Sequence, residues 1–239
     1  MVYVLGSDLS HWNFNQIRQK LQALWDEGYR FVWIKVSEGT GFEDPNWQEI
    51  KAIAEEIGFL TGPYHYFLPT ISGIAQGGHF FSVARKAEWV LKPVLDVEEP
   101  GHYAWTGTKT IYGARVKGCL GEIHDLFEKR ALVYTSKNKW DTYVDVYVEE
   151  ELFVAHWTSR LTPLIPRKWE GRGWTVWQFM VKTVDRDRFK GSWEEFLRWV
   201  GMAPNPGDLE EQIFELQQEV AAQKRQLEVI SKWIRSYPS

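Results

Sequence analysis

Short apolar runs alternate with amphipathic segments along most of the chain. The runs are rich in β-branched and aromatic residues and are bounded by Gly, Pro or polar residues, which is typical of strands. Between them, apolar positions recur every three or four residues, as on the buried face of a helix. The runs predict strands at 2–8, 31–36, 58–67, 92–98, 131–135, 152–157 and 174–179. The amphipathic segments predict helices at 15–27, 45–57, 73–89, 108–129 and 193–200.

This alternation of strands and helices indicates an α/β fold with a mostly parallel sheet, and the number of repeats favours a β/α barrel. In such barrels the functional site lies at the C-terminal ends of the strands. Polar and aromatic residues recur at those ends. They are Asp8, Ser37, Glu38, Tyr64, His65, Tyr66, Asp96, Glu98, Tyr134, His156, Trp157, Trp177 and Gln178. Their recurrence predicts a site at this end of the barrel.

The strand at 92–98 carries the strongest chemical signal. Successive side chains of a strand point to opposite faces, so Asp96 and Glu98 are expected on one side and Val97 on the other. Mutual repulsion and unequal burial can separate the pKa values of two neighbouring carboxylic acids. Such a pair suits the hydrolysis of a glycosidic bond. The alternative is a purely structural pair of acids.

The composition excludes several classes of protein. A formal net charge of −4 over 239 residues, without a block of like charges, gives no reason to expect a nucleic acid partner. No apolar run approaches the roughly 18 residues of a membrane span. No set of His, Asp and Glu has metal-ligand spacing, so we expect no metal and no cofactor. The single cysteine, Cys119, excludes an intramolecular disulfide and is expected to be a buried, inert thiol.

The sequence pattern changes after residue 203. We expect a catalytic barrel at 1–203, a Pro/Gly linker at 204–207 and an amphipathic helix at 208–239. The apolar positions of this helix alternate in steps of four and three, with Gln223 interrupting. They are Leu209, Ile213, Leu216, Val220, Leu227, Ile230 and Ile234. The spacing predicts a coiled coil that forms a homo-oligomer through 208–236. The alternative is a helix that folds back onto the barrel.

Eight segments, in order, resemble glycoside hydrolase family 25, the lysozymes (N-acetylmuramidases) of bacteria and their phages. The segments are 6–10 (GSDLS), 31–39 (FVWIKVSEG), 62–67 (GPYHYF), 93–98 (PVLDVE), 133–136 (VYTS), 154–157 (VAHW), 177–179 (WQF) and 184–189 (VDRDRF). The similarity covers about residues 1–200. It implies an irregular, TIM-like β/α barrel that cleaves the β-1,4 bond between N-acetylmuramic acid and N-acetylglucosamine in the glycan strands of peptidoglycan.

The resemblance also implies roles for individual residues. Glu98 matches the general acid/base, and Asp96 matches the carboxylate that stabilises positive charge or orients the substrate's acetamido group. The implied reaction retains the anomeric configuration through attack by the acetamido oxygen. Asp8 and Asp185 match further acids of the site. The substrate-binding residues are expected to be Tyr64, Tyr134, Trp157, Glu38, His65, Trp177 and Gln178.

Several alternatives remain open at this point. Glu38 could lie in the groove or pair with Lys35 or Arg30, and His65 could be a hydrogen-bonded strand residue. Asp187 stands where the family often has Asn, and it either adds a negative charge near the site or lies on the surface. A chitinase-like N-acetylhexosamine hydrolase and a glycan-binding module of a phage tail are rival functions.

The resemblance implies peptidoglycan as the substrate, so the expected place of action is the bacterial cell wall. The segment 1–8 lacks the basic region, long apolar stretch and small-residue cleavage site of a secretory signal. We therefore expect phage-type cytosolic synthesis with release, a virion-associated protein, or secretion with the signal removed.

Overall fold

The computed structural model describes residues 2–99 and 105–202. Its strands are β1 (Tyr3–Leu9), β2 (Tyr29–Glu38), β3 (Phe42–Glu43), β4 (Leu60–Tyr66), β5 (Val94–Asp96), β6 (Leu132–Thr135), β7 (Glu151–Ala155), β8 (Val176–Val181) and β9 (Asp185–Lys190). Its α-helices are α1 (Ile17–Asp26), α2 (Trp47–Ile57), α3 (Gly73–Ala84), α4 (Lys109–Phe127), α5 (Lys137–Lys139) and α6 (Trp193–Val200).

The sheet closes on itself because β1 pairs with both β2 and β9. The barrel order is β1-β2-β4-β5-β6-β7-β8-β9, and β3 forms a short hairpin with the end of β2. All neighbours pair in parallel except β9, which is antiparallel to both β8 and β1. The α/β fold with a TIM-like barrel is therefore confirmed, and the antiparallel β9 is its irregular element.

The wall of the barrel is buried on both faces, which explains why its strands are continuous apolar runs. In β2, Phe31, Val32, Trp33, Ile34 and Val36 are all fully buried. Residues of one parity point into the barrel, and residues of the other parity pack under the surrounding helices. Cys119 of α4 is a buried free thiol, as expected.

Helix α3 packs closely against α4, and its glycines make this possible. A Cβ atom on Gly77 would lie 2.7 Å from Glu122 Cβ, and one on Gly73 would lie 1.8 Å from the backbone oxygen of Arg115. Real Cβ atoms do not approach so closely, so larger residues here would force the two helices apart. The helix ends at Ala84, earlier than the predicted end at 89.

The largest differences from the predicted strands are in β5 and β9, and the short strand β3 was not predicted either. The strand β5 ends at Asp96 and not at residue 98. The strand β9 was not predicted, because the sequence Asp-Arg-Asp-Arg-Phe-Lys lacks an apolar face. Its polar residues are nevertheless largely buried, since Asp187 and Arg186 are 0% and 8% exposed.

The chain divides into two compact units, residues 1–196 and 197–239. The predicted linker at 204–207 and the predicted coiled coil at 208–236 lie outside the described residues. Among the helices that are described, none combines the length and apolar character needed to cross a membrane.

Candidate active site

A cavity of about 350 Å³ opens at the C-terminal ends of the barrel strands. Four of the acids singled out in the sequence line it. They are Asp8 of β1, Asp96 at the end of β5, Glu98 two residues further on and Asp185 at the start of β9. The fold therefore brings together carboxyl groups that are up to 177 positions apart in the sequence.

Asp96 and Glu98 face the same cavity although the strand ends between them. Val97 between them is fully buried, and its N–H donates a hydrogen bond of 2.9 Å to the backbone oxygen of Tyr134. The backbone oxygen of Glu98 accepts a hydrogen bond of 2.6 Å from the Tyr112 hydroxyl. The extended backbone thus continues past β5 and keeps the alternation of side chains.

The two acids have different surroundings. Asp96 is only 8% exposed, and its Oδ1 has no hydrogen-bond partner among the described residues. Burial raises the pKa of Asp96 well above its ordinary value, the charge of Glu98 raises it further, and Lys35 acts in the opposite direction. The side chain of Glu98 is 22% exposed. The pair therefore consists of a deeply buried carboxyl and one that solvent and a ligand can reach.

Gln178 of β8 connects the acids to the aromatic wall. Its Nε2 donates a hydrogen bond of 2.7 Å to Asp8 Oδ2. Its Oε1 accepts hydrogen bonds from the Tyr134 hydroxyl at 3.0 Å and from Trp157 Nε1 at 2.9 Å. All four residues line the cavity, so one buried amide orients a carboxyl group and two rings.

Three aspartates lie together where β1 meets β9. The register pairs Asp187 with Gly6, so Asp187 lies on the same face as Asp8 and Asp185. Burial raises the pKa of Asp8 well above its ordinary value, with a further contribution from Asp185. Burial likewise raises the pKa of Asp185, to about 6.

Asp187 is fully buried, so the interpretation of this residue as a surface residue is wrong. Burial and the charges of Asp8 and Asp185 raise its pKa well above its ordinary value. Neither side-chain oxygen accepts a hydrogen bond from a described donor, whereas the carboxyl of Asp8 is within hydrogen-bonding reach. The raised pKa favours the neutral form of Asp187, in which its O–H could donate to Asp8 in place of the N–H of an Asn.

Two lysines balance part of this negative charge. Lys35 of β2 lines the cavity, and its Nζ lies 2.6 Å from Glu38 Oε2 and 4.9 Å from the centre of the Tyr66 ring. Lys139, at the end of α5, forms an ion pair with Glu98. Neither lysine was singled out as a site residue in the sequence.

Aromatic residues form the remaining wall and the mouth of the cavity. Tyr64, Tyr66 and Tyr134 lie in the wall, and Trp157 lies at the mouth and is 63% exposed. Trp12 also lines the cavity and is 82% exposed, which the sequence analysis missed. Exposed indole faces next to buried carboxyl groups suit a polymer of sugar rings.

Three of the predicted substrate-binding residues do not line the cavity. His65 lies between Tyr64 and Tyr66, so it points to the opposite face, where it is fully buried 2.8 Å from Ser37 Oγ. Burial lowers the pKa of His65 to about 3, so the imidazole is neutral.

Trp177 precedes Gln178 and therefore also points away from the cavity; its Nε1 donates to the backbone oxygen of His156 at 2.8 Å. Glu38 is the third, and it pairs with Lys35 instead of entering the groove. For His65 and Trp177 the reason is strand alternation, because neighbouring residues of one strand face opposite sides. Glu38 is in register with Tyr66, which lines the cavity, but its carboxylate is paired with Lys35.

No cluster of His, Cys, Asp and Glu with the geometry of a metal site occurs among the described residues. The chemistry available from this cavity is that of carboxyl groups: proton transfer by an accessible acid and stabilisation of positive charge by buried ones.

Comparisons with known proteins agree with this chemistry. The family described as Glycosyl hydrolases family 25 matches residues 7–187. Uncharacterized protein YegX of Escherichia coli (strain K12) is 29% identical over 210 residues, which span 82% of this chain and 72% of that protein. Lysozyme M1 of Streptomyces globisporus is 27% identical over 214 residues, which span 79% of this chain and 68% of that protein.

A solved structure gives the same result. The bacterial lysozyme from Streptomyces coelicolor has 25% sequence identity and a TM-score of 0.72, and the match covers 85% of this chain and 98% of that one. The fold and its acidic cavity thus define a glycoside hydrolase. The chain belongs to glycosyl hydrolase family 25, which confirms the resemblance seen in its motifs.

Proposed function

We propose that this protein is a muramidase that hydrolyses the β-1,4 bond between N-acetylmuramic acid and N-acetylglucosamine in peptidoglycan. The observation that supports this most strongly is the placement of Asp96 and Glu98 side by side in a cavity with aromatic walls. The relatives named lysozyme supply the substrate class.

In the first step, Glu98 is the general acid. It gives a proton to the glycosidic oxygen while the bond between that oxygen and the anomeric carbon breaks. The acetamido oxygen of the same sugar attacks the anomeric carbon and forms a cyclic oxazolinium ion. Asp96 accepts a hydrogen bond from the acetamido N–H and stabilises the positive charge. A buried carboxylate is effective here because little water screens its charge.

In the second step, Glu98 takes a proton from a water molecule. The water oxygen attacks the anomeric carbon and opens the oxazolinium ring, while the sugar ring stays closed. Two inversions at one carbon give net retention. General acid and base assistance of this kind is commonly worth about 10²–10⁴-fold in rate. The rule that relates carboxylate separation to mechanism does not apply directly, because the nucleophile belongs to the substrate.

The remaining residues bind and orient the strand. Asp8 and Asp185 contribute to the charge balance of the site. They also accept hydrogen bonds from sugar hydroxyls on one side of the cavity. Tyr64, Tyr134 and Trp157 contact the sugar rings. We propose the bacterial cell wall as the place of action, reached by release from the cytosol, from a virion or by secretion.

The test is digestion of purified peptidoglycan followed by borohydride reduction and identification of the new reducing-end sugar. Muramitol at that end supports a muramidase, and glucosaminitol would contradict it. Proton NMR of the first product tests the mechanism, because retention gives the β-anomer first and inversion gives the α-anomer.

A further inference from the structure

An exposed aromatic surface borders the active-site cavity where β1 ends. Trp12, in the turn after β1, is 82% exposed and lines this cavity. Its ring lies 4.6 Å from that of His11, and the His11 ring lies 5.6 Å from that of Phe42, which is 37% exposed. Single exposed apolar residues are common, but exposed rings that adjoin one another beside a cavity are typical of a ligand-binding groove.

The turn that carries Trp12 is fixed by its own hydrogen bonds. The backbone N–H of Ser10 donates to Asn13 Oδ1 at 2.9 Å, and the N–H of Asn13 donates to the backbone oxygen of Ser10 at 2.9 Å. The N–H of Trp12 donates to Ser10 Oγ at 3.4 Å. A ligand that binds Trp12 therefore does not have to order this backbone, which reduces the entropic cost of binding.

His11 connects the turn to the buried part of the barrel. Its backbone N–H donates to Asp44 Oδ2 at 2.9 Å, and its Nδ1 lies 2.7 Å from the same oxygen. Asp44 is 1% exposed, and its Oδ1 accepts a hydrogen bond of 3.0 Å from the N–H of Asn46. The buried carboxyl group thus holds the imidazole. The imidazole in turn packs against the Trp12 ring, most of which stays open to solvent and to the cavity.

Trp12 lies on one particular side of the cavity. A second cavity, of about 770 Å³, shares Glu98, Tyr134 and Trp157 with the first, whereas Asp96 and Trp12 line the first cavity and not the second. The strand before Trp12, β1, lies opposite the strand of Tyr134, β6, in the order of the barrel. Trp12 is therefore on the side of the first cavity that faces away from the second.

The proposed reaction gives this arrangement a direction. The sugar whose anomeric carbon reacts places its acetamido group on Asp96, in the first cavity. The leaving sugar lies beyond Glu98, toward the second cavity, because Glu98 protonates the oxygen between the two sugars. The next sugar toward the non-reducing end then extends to the other side, where Trp12 lies. In peptidoglycan the two sugars alternate, so this sugar is N-acetylglucosamine when the reacting sugar is N-acetylmuramic acid.

We infer that Trp12 is a platform for the N-acetylglucosamine on the non-reducing side of the cleaved N-acetylmuramic acid, and that His11 and Asp44 hold this platform in place. The inference rests on the proposed function. An indole face suits this sugar, because the axial C–H groups of a β-linked pyranose ring form an apolar face that can pack on an aromatic ring. Trp12 then makes the protein prefer strands that extend one sugar beyond the acids.

The first test compares two soluble substrates that differ by this sugar alone. The longer is the tetrasaccharide N-acetylglucosamine–N-acetylmuramic acid–N-acetylglucosamine–N-acetylmuramic acid, and the shorter is the trisaccharide without the first sugar. Each contains one bond that a muramidase cleaves. We expect the wild type to have a kcat/KM about tenfold or more higher on the tetrasaccharide, with most of the difference in KM.

Replacing Trp12 should remove this preference. We expect the ratio of the two kcat/KM values to fall to within about twofold of one in Trp12→Ala, and Trp12→Phe to retain part of it. A ratio in Trp12→Ala equal to that of the wild type, or a wild-type ratio near one, would overturn the inference.

A matched control separates contact with the sugar from stability. Trp193 of α6 is also an exposed indole, at 42%, and it lines neither cavity. Trp193→Ala should keep the wild-type ratio, because a loss of stability affects both substrates equally. An equal fall of the ratio in Trp193→Ala would contradict a specific role of Trp12.

The supporting role of His11 has its own variant. His11→Ala should lower the ratio less than Trp12→Ala does, through a higher KM on the tetrasaccharide with kcat unchanged. An unchanged ratio in His11→Ala would contradict the part of the inference that concerns His11 and Asp44.

A binding measurement separates this inference from the proposed function. The indole N–H signal of Trp12 is assigned by its absence in Trp12→Phe and is followed by NMR in full-length Glu98→Gln, which is expected to leave both ligands intact. A shift of this signal with the tetrasaccharide but not with the trisaccharide supports the inference even if the wild type cleaves another bond. An equal response to both ligands contradicts the inference even if the protein is a muramidase.

Discussion

Gln178 donates its side-chain amide to Asp8 Oδ2 over 2.7 Å and joins this acid to the rings of the opposite wall. Its oxygen accepts from Tyr134 and Trp157 at 3.0 and 2.9 Å. Gln178 is 2% exposed, and the register of β8 and β9 pairs it with Asp187. Its amide is therefore buried on the face of the sheet that carries the acids. One side chain therefore sets the orientation of three groups that line the cavity.

Replacing Gln178 tests this role. We expect Gln178→Met to lower the free energy of unfolding by about 1–3 kcal/mol, because buried polar partners lose their hydrogen bonds. We also expect kcat/KM on peptidoglycan to fall by roughly tenfold or more, which corresponds to about 1.4 kcal/mol in the barrier. Denaturant unfolding and initial rates of reducing-end release measure the two effects.

A matched control is available in the same barrel. Gln76 is also a fully buried amide, and it bonds the backbone of Leu68 at 2.8 Å through both its oxygen and its nitrogen, away from the cavity. Gln76→Met should lose similar stability while kcat/KM of the folded protein stays within about twofold. Equal loss of activity in both variants would mean that Gln178 acts through stability alone.

Asp187 should make stability depend on pH. The pKa of Asp187 is raised in the folded protein, whereas in the unfolded chain an Asp has a pKa of about 3.9. At a pH above that value, the folded state keeps a proton that the unfolded state releases. The contribution of Asp187 to the free energy of unfolding is therefore fully present at low pH and is lost as the pH rises toward the pKa of Asp187 in the folded protein. Asp187→Asn removes the titration and retains an N–H donor toward Asp8.

We therefore expect Asp187→Asn to gain stability relative to the wild type by about 1.4 kcal/mol for each pH unit above about pH 4, until the folded group itself ionises. Chemical denaturation at pH 4, 5, 6 and 7 measures the difference. Its activity should remain near that of the wild type. A constant difference in stability across this range would show that Asp187 is ionised in the folded protein.

We propose that the segment 208–236 joins copies of the chain, as its apolar spacing predicts. Ending the chain at Gly207 should then give a folded monomer with unchanged activity on soluble glycan strands. Light scattering after size-exclusion chromatography measures the mass, and circular dichroism follows the fold. A truncated chain that unfolds would instead indicate that the helix packs on the barrel.

Much of the site was predictable because strand ends and parity are visible in the sequence. The barrel brings Asp8, Asp96, Glu98 and Asp185 to one cavity, where the strand-end rule places them. The alternation of side chains along a strand could also have excluded His65 from the predicted substrate-binding residues, since it lies between two tyrosines that face the cavity. The same alternation could have shown that Trp177 faces away from the cavity when Gln178 faces it.

Other features depend on tertiary structure that no local pattern contains. Lys139 is 41 positions from Glu98, on a short helix whose direction depends on the packing of Trp140. The strand β9 consists mostly of charged residues and is stabilised by pairing with β1 and β8. The burial of Asp187 follows from that pairing, and its position next to Gly6 could not be inferred from composition.

The most direct test of the proposed catalysis compares Glu98→Gln with Glu88→Gln in the release of reducing ends from purified peptidoglycan. Glu88 is exposed and lines a different cavity, so its variant should match the wild type. The proposed role of Glu98 predicts a loss of about 10²–10⁴-fold for Glu98→Gln, with the fold unchanged by circular dichroism. Cleavage by Glu98→Gln within about threefold of the wild type would contradict general acid catalysis by this residue.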